Sequence, residues 1–347
     1  MNSSLSHFLL GVYLPLGNFR YFLVVLTAAL YLLILFLNSF LITVISLRPS
    51  LHEPTQLFLC NLFLNEIYGS TGLFIFLLHQ TLKDVHTVTV THCFLQIFCH
   101  YTYATVEILN LAVMSYDRYV AICRPLQYRT IMTLNKAALF AVLIWIYSFI
   151  RCFITISLTL RLTLCGNFID NLFCHNYLIV RLACSDTQLN NIYGFFATAS
   201  TLLLPLMPIL FSYAHILRVA LSCPQKGRKA VHTCIPHIVS LLNFALGSFL
   251  DILQTRFNLS TAPVVIRIVF PLYFYVLQPI LNPIMYGMKT SAIQTACKDS
   301  IKIKKIIQNR LAICEAEGLS NQRSQDTGLH RAPLPPEHAI YPLSTSP

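Results

Sequence analysis

Charge is scarce in this chain. Asp, Glu, Lys and Arg make up 11% of its 347 residues, against about 25% in an ordinary soluble domain, which excludes a conventional water-soluble enzyme. Catalytic signatures are missing as well: there is no GxSxG elbow and no HExxH pair, and the 12 cysteines lack the paired C-x2-C spacing of a zinc site. Paired halves with broken helices, which mark many transporters, are also missing. Apolar residues are abundant, at 56%. They fall in long blocks separated by short polar stretches, as in a chain whose solvent is lipid.

Seven blocks reach the roughly 20 helical residues that cross a hydrocarbon core. They lie near 22–47, 57–80, 93–120, 137–160, 190–217, 231–254 and 264–287. The first starts too late, runs too long and lacks the flanks of a removable signal peptide, so it counts as a span. The expected architecture is an all-α membrane protein. Residues 1–21 form an extracellular tail, 22–287 a seven-helix transmembrane bundle, 288–312 a basic juxtamembrane helix and 313–347 a disordered, proline-rich cytosolic tail.

The net charge of +11 raises the question of nucleic acid, and the position of the charges answers it. Seventeen of the 24 Lys and Arg residues lie in the loops and tail that share a side with the C-terminus. The positive-inside rule therefore puts that end in the cytosol and the N-terminus outside. Membrane lipids remain a partner for the basic loops, and nucleic acid is not needed. The glycosylation sequons at Asn2 and Asn258 both fall on the outer side.

Topology also sorts the cysteines. Cys93, Cys165, Cys174 and Cys184 face the oxidising side, where four cysteines allow three pairings, and sequence arithmetic leaves the choice open. Cys223, Cys297 and Cys314 face the reducing cytosol. Cys297 is either a palmitoylation site or an ordinary free thiol.

Polar groups inside spans are expensive in lipid and point to function. In span three, Cys93, Gln96, His100, Glu107, Met114 and Arg118 share an arc of about 60°, so this face lines the bundle. Glu66 and Glu107, both mid-span, are expected to meet with Asn38 and Asn282. Two carboxylates in a dry site either share a proton or bind a cation, for which sodium suits oxygen ligands. The alternative is two neutral acids hydrogen-bonded to hydroxyls or amides. Arg256 lies about 28 Å along a helix beyond His237, at the outer boundary. There it either pairs with a ligand carboxylate or snorkels to headgroups. Asp251 is about 140° around the helix from Arg256 and is a poor partner for it. Arg151 is expected to face protein or a carbonyl.

The end of span three reads Met114-Ser-Tyr-Asp-Arg-Tyr-Val-Ala-Ile-Cys123-Arg-Pro-Leu126. This resembles the signature of vertebrate odorant receptors, a branch of the rhodopsin-like G-protein-coupled receptors. Further matches follow in order: Leu51-His-Glu-Pro54, Ser212-Tyr213, Lys229-Ala-Val-His-Thr-Cys234-Ile-Pro-His237 and Pro279-Ile-Leu-Asn-Pro-Ile-Met-Tyr-Gly287. Asn65-Glu-Ile-Tyr-Gly-Ser-Thr-Gly72 together with Arg256 is most similar to the class I, fish-type subgroup, which detects water-soluble odorants. Departures include Glu66 where aspartate is usual, Thr55-Gln56 for Met-Tyr, His232 for serine, and Ala245 where an aromatic often sits under the ligand.

The resemblance implies disulfides Cys93–Cys174 and Cys165–Cys184. It also implies a pocket between spans three, five and six, where helical spacing points to His100, Tyr101, Ala104, Thr105, Thr201, Ile252, Arg256 and Tyr275. The coupling switch would involve Asp117, Arg118, Tyr119, Tyr213, His237, Asn282, Pro283 and Tyr286. Arg118 would pair with Asp117 at rest, and an outward swing of span six would free it for a G-protein helix. The implied partners are a small odorant, the olfactory stimulatory G protein and trafficking chaperones. The implied setting is the plasma membrane, in cilia of olfactory sensory neurons, with cAMP as the output. No catalytic residue and no cofactor beyond sodium is expected. The alternatives are a rhodopsin-like receptor for a peptide, amine or lipid, and a transporter. The lack of an acid among the outer residues of span three argues against an amine.

Overall fold

The computed structural model describes residues 6–13, 17, 19–222, 224–257, 262–289 and 294–295, with the side chains of 223–233 and 288–289 left aside. The expectations for Asn2, Asn258, Cys297 and the tail beyond 295 fall outside the described residues.

Seven long helices carry the fold: α1 (Phe19–Leu47), α2 (Pro54–Leu82), α3 (Val90–Cys123), α4 (Leu134–Leu160), α5 (Gln188–Ser222), α6 (Pro224–Arg256) and α7 (Val264–Lys289). All seven contain a stretch long and apolar enough to cross a membrane. They extend past the expected spans because their polar ends stay helical outside the hydrocarbon length. The first helix thus starts at Phe19 instead of residue 22, and the last runs past Gly287 to Lys289.

Local chemistry sets several ends. Pro54 opens α2 at a position where a missing N–H costs nothing. Thr89 and Thr133 cap α3 and α4, their hydroxyls accepting from the N–H groups of His92 and Lys136. α3 is the axis of the bundle: 67% of its most apolar window is buried, against 17% in α4 and in α5. The exposed Leu, Ile and Phe of α1, α4 and α5 are the surface that lipid would cover.

Pro283 has no N–H, so the carbonyl of Pro279, four residues earlier, loses its helical donor. Asn38 Nδ2 fills the gap at 2.9 Å and also reaches Ile34 O at 2.9 Å. This corrects the expectation for Asn38: it ties α1 to α7 through the backbone and does not join the carboxylates.

The outer face carries β structure that hydropathy could not show. β1 (His7–Leu10) pairs antiparallel with β2 (Thr87–Thr89) and parallel with β3 (Phe168–Ile169). The two disulfides close above the bundle, Cys93–Cys174 tying α3 to the long loop and Cys165–Cys184 closing the loop on itself.

Candidate functional site

Behind the disulfide-anchored loop lies a cavity among α3, α5 and α6, enclosing about 850 Å³ of empty space, part of it open solvent. Of the eight residues expected to line it, His100, Tyr101, Ala104, Thr105, Thr201, Ile252 and Arg256 do so. Tyr275 does not. Its hydroxyl bonds His100 Nδ1 from behind, and the α7 aromatic that reaches the cavity is Phe274. The aromatic thought missing at Ala245 is supplied one residue earlier: Phe244 is buried in the wall while Ala245 points outward. Gly247 makes room for Phe274, since a Cβ there would stand 2.6 Å from its Cδ2.

Sequence reasoning missed several lining groups, above all Asp251 and His175. Asp251 Oδ2 lies 3.4 Å from His100 Nε2, and Asp251 Oδ1 lies 3.6 Å from His175 Nε2. Gln254 Nε2 donates to Asp251 Oδ1 at 3.1 Å. His175 follows Cys174, so the disulfide to Cys93 delivers its ring over the top of α3. Burial pushes the His175 imidazole down to about 4, against the pull of Asp251. The signal for Asp251 was available, because an acid within a span is a functional candidate by default. Its presence also removes the objection to an amine, since α6 supplies the acid that α3 lacks.

The cationic side of the cavity is built by Arg151 and Arg256. Arg151 Nη1 donates to Thr105 Oγ1 at 2.8 Å and Nη2 to Ala197 O at 2.9 Å, while Nε is buried without a partner. It therefore holds α3 and α5 as expected, yet it also lines the cavity. The guanidinium carbon of Arg256 sits 3.8 Å from the centre of the Tyr177 ring, a cation–π contact that keeps the charge at the cavity edge. A wider depression nearer the surface shares Thr255 with this cavity, and the Arg267–Asp170 ion pair lies in its wall.

Below the cavity a polar network fills the middle of the bundle. Asn282 Nδ2 donates to Glu66 Oε1 at 2.6 Å and to Glu107 Oε1 at 3.1 Å, so the two acids do meet. Tyr103 OH donates to Glu66 Oε2, Asn65 Nδ2 to Glu107 Oε2 and Gln278 Nε2 to Glu107 Oε1, at 2.8, 2.9 and 3.0 Å. Both acids are fully buried. Tyr103, Asn65 and Gln278 thus take the place expected of Asn38. The network connects upward, because the Tyr103 ring stacks on Tyr275, which holds His100.

At the cytosolic end Arg118 Nη2 lies 3.8 Å from Asp117 Oδ2. Asp117 also accepts from Thr55 Oγ1 at 2.7 Å and from Tyr128 OH at 2.8 Å. Thr55, a departure from the signature, therefore supplies a hydroxyl to Asp117. Tyr213 OH bonds His237 Nδ1, and His237 Nε2 meets Leu111 O at 2.9 Å. Tyr119 packs with Val120, Ile216 and Cys234 in the inner core, and Tyr286 is buried nearby on α7. Ser240 Oγ donates to Asn282 Oδ1 at 2.7 Å, joining α6 to the α7 segment that holds Pro283.

The family described as olfactory receptor matches residues 27–304. Human "Olfactory receptor 2A12" is 34% identical over 272 residues, covering 77% of this chain and 86% of its own. Mouse "Olfactory receptor 4B13" is 34% identical over 286 residues, covering 81% and 91%. Human "Olfactory receptor 51I2" is 32% identical, covering 75% and 84%. Among solved structures, squid rhodopsin superposes with a TM-score of 0.65 over 81% of this chain and 80% of its own; at 17% identity this likeness bears on the fold alone.

Proposed function

Starting from the chain's membership of the olfactory receptor family, which makes it a multi-pass plasma-membrane receptor and not an enzyme, we propose that its odorant is a small water-soluble carboxylate, with amino acids foremost. The observation that carries this reading is that Arg256 and Asp251 line one cavity from successive turns of α6. A ligand carboxylate pairs with the Arg256 guanidinium, with Arg151 adding positive potential, and an amino group finds Asp251. A simple amine is the second reading, favoured by the same Asp251.

Signalling then needs only a population shift between two bundle arrangements. Ligand contact at His100 and Asp251 acts on the path from Tyr275 through Tyr103 and Glu66 to Asn282. A sodium ion among the Glu66 and Glu107 oxygens and the buried, unpartnered Asn65 Oδ1 stabilises the resting state in this reading. Activation swings α6 outward and frees Arg118 and Tyr213 for the stimulatory olfactory G protein, which raises cAMP in the cilia of sensory neurons. Trafficking chaperones bring the receptor there.

The test is a cAMP assay with amino acids, small carboxylic acids, amines and neutral analogues on wild type, Arg256→Ala and Arg118→Ala at matched surface expression. Arg256→Ala is expected to abolish carboxylate responses, and Arg118→Ala all responses. Responses confined to neutral odorants and unchanged in Arg256→Ala would overturn the ligand class. Full agonist-driven cAMP in Arg118→Ala would overturn the switch.

A further inference from the structure

The ligand reading uses Asp251 as an acid, but leaves unexplained why two histidines converge on it. Their donor atoms, with an Asp251 oxygen, all lie within 4.8 Å of one another. His175 is 2% exposed and its Nε2 has no hydrogen-bond partner among the described residues, although its closest polar neighbour is Asp251 Oδ1 at 3.6 Å. An aimed, buried and unpartnered imidazole nitrogen calls for an explanation.

We propose that His100 Nε2, His175 Nε2 and an Asp251 carboxylate oxygen form a binding site for one divalent transition-metal ion of the zinc type, with its fourth position open to the cavity. Zinc bound at about 2.0–2.1 Å sets tetrahedral donors roughly 3.4 Å apart. The separation of His100 Nε2 from Asp251 Oδ2, 3.4 Å, already matches that edge, and the other carboxylate oxygen, Oδ1, lies 3.6 Å from His175 Nε2. The imidazole rings stand nearly edge to face, 77° apart with centroids at 4.9 Å, and their ligand nitrogens lie within 4.8 Å of each other.

The outer shell is also suited to a metal. A ligating histidine commonly engages a partner with its other nitrogen, fixing the tautomer and ring orientation. His100 does so: Nδ1 is held by Tyr275 OH, so Nε2 carries the lone pair when Nδ1 donates. Gln254 Nε2 steadies the carboxylate at Oδ1 and leaves Oδ2 toward His100. Two imidazoles and one carboxylate favour zinc or copper over magnesium or calcium, which take oxygen ligands.

The open position faces the space assigned to the odorant, where a ligand amine or carboxylate could complete the coordination. In this respect the proposal deepens the ligand reading, but the ion site itself does not depend on it.

The experiment is direct metal binding to the full chain in lipid nanodiscs. Zinc is titrated against magnesium, and cobalt is used as a visible probe of tetrahedral nitrogen–oxygen ligation. We expect one zinc per chain and roughly 100-fold or greater weakening in His100→Gln, His175→Gln and Asp251→Asn. Tyr275→Phe, which loses only the support of His100, is expected to weaken binding about 10–100-fold. His92→Gln, at an exposed histidine, serves as the control and is expected to bind as wild type. His175→Gln is the decisive variant, because His175 Nε2 has no hydrogen bond to lose and folding is preserved; surface expression verifies this. The proposal is overturned if wild type binds zinc no better than magnesium, or if His175→Gln keeps the wild-type affinity or cobalt spectrum. The readout is independent of signalling, so failure of the odorant assay leaves the metal site standing, and failure here leaves the receptor reading standing.

Discussion

Gly69→Ala tests how tightly the middle of the bundle is built. Gly69 sits on α2 facing Tyr103 of α3, and an added Cβ would lie 2.3, 2.5 and 2.9 Å from Tyr103 Cδ2, Cγ and Cε2. Ordinary contact begins near 3.4 Å, so the ring must retreat by about 1 Å. It has no room to do so: Tyr103 is fully buried, with Phe274 edge-on at 5.2 Å and Tyr275 stacked at 5.3 Å. Overpacking of this kind costs about 1–3 kcal/mol. Displacing the hydroxyl from Glu66 adds roughly 1.5–3 kcal/mol, and the helix preference of alanine over glycine returns up to about 1 kcal/mol. The expected net loss is therefore about 1.5–6 kcal/mol, a large part of a typical fold's stability.

Two assays read it: thermal unfolding of the receptor in nanodiscs and surface expression in cells. In a Tyr103→Ala background the clash has no target, so the cost of Gly69→Ala should vanish and a double-mutant cycle should show a coupling about as large as that cost. The reasoning is refuted if Gly69→Ala melts like wild type, or if its cost is the same with and without the Tyr103 ring.

Removing Cys93–Cys174, whose partners have a sequence separation of 81, should cost about 4.5 kcal/mol by loop entropy, against about 3.2 kcal/mol for Cys165–Cys184, with a separation of 19. Surface expression of the two paired Cys→Ser variants checks the ranking, and equal loss would count against it. Asn38→Ala leaves the Pro279 carbonyl unpaired and should lower stability by about 1–3 kcal/mol; a melting curve that does not move would contradict that role. Arg20 donates to Asp84 at 2.8 Å and holds its carboxyl below the usual range. Any stability this pair adds is therefore present above the ordinary aspartate pKa and fades as pH falls through the lowered one. Asp84 is 87% exposed, so salt screens the pair. Arg20→Gln is expected to melt with wild type at physiological salt and neutral pH, and a clear drop there would show that the contact matters more than its exposure allows.

Much of the site was legible because its rules are local or periodic. The 3.6-residue repeat placed Cys93, Gln96, His100, Glu107, Met114 and Arg118 on one face of α3, and all but the half-buried Arg118 are buried. The same repeat brought Ala104, Thr105, Thr201 and Ile252 to one cavity. Where reading failed, the error was a rotation or an unseen neighbour. A one-residue step turns a helix by about 100°, which is enough to send Ala245 outward and Phe244 inward. Tyr275 sits at the right depth but on the wrong side of His100. Asp251 has no partner in Arg256 on its own helix; its partners arrive from α3 and from the loop after Cys174.

The sequence by itself determined the seven spans, their orientation and the class of receptor. A span's length is set by the bilayer, its sidedness by loop charge, and the receptor signatures are contiguous in the chain. Only the tertiary structure decided which buried polar groups meet. Asn38 finds the carbonyl orphaned by Pro283, Thr55 finds Asp117, and two histidines find Asp251. Such pairings depend on the relative rotation and depth of helices far apart in sequence. Packing among all seven fixes those two quantities together, and the polar pattern of any one helix leaves them open.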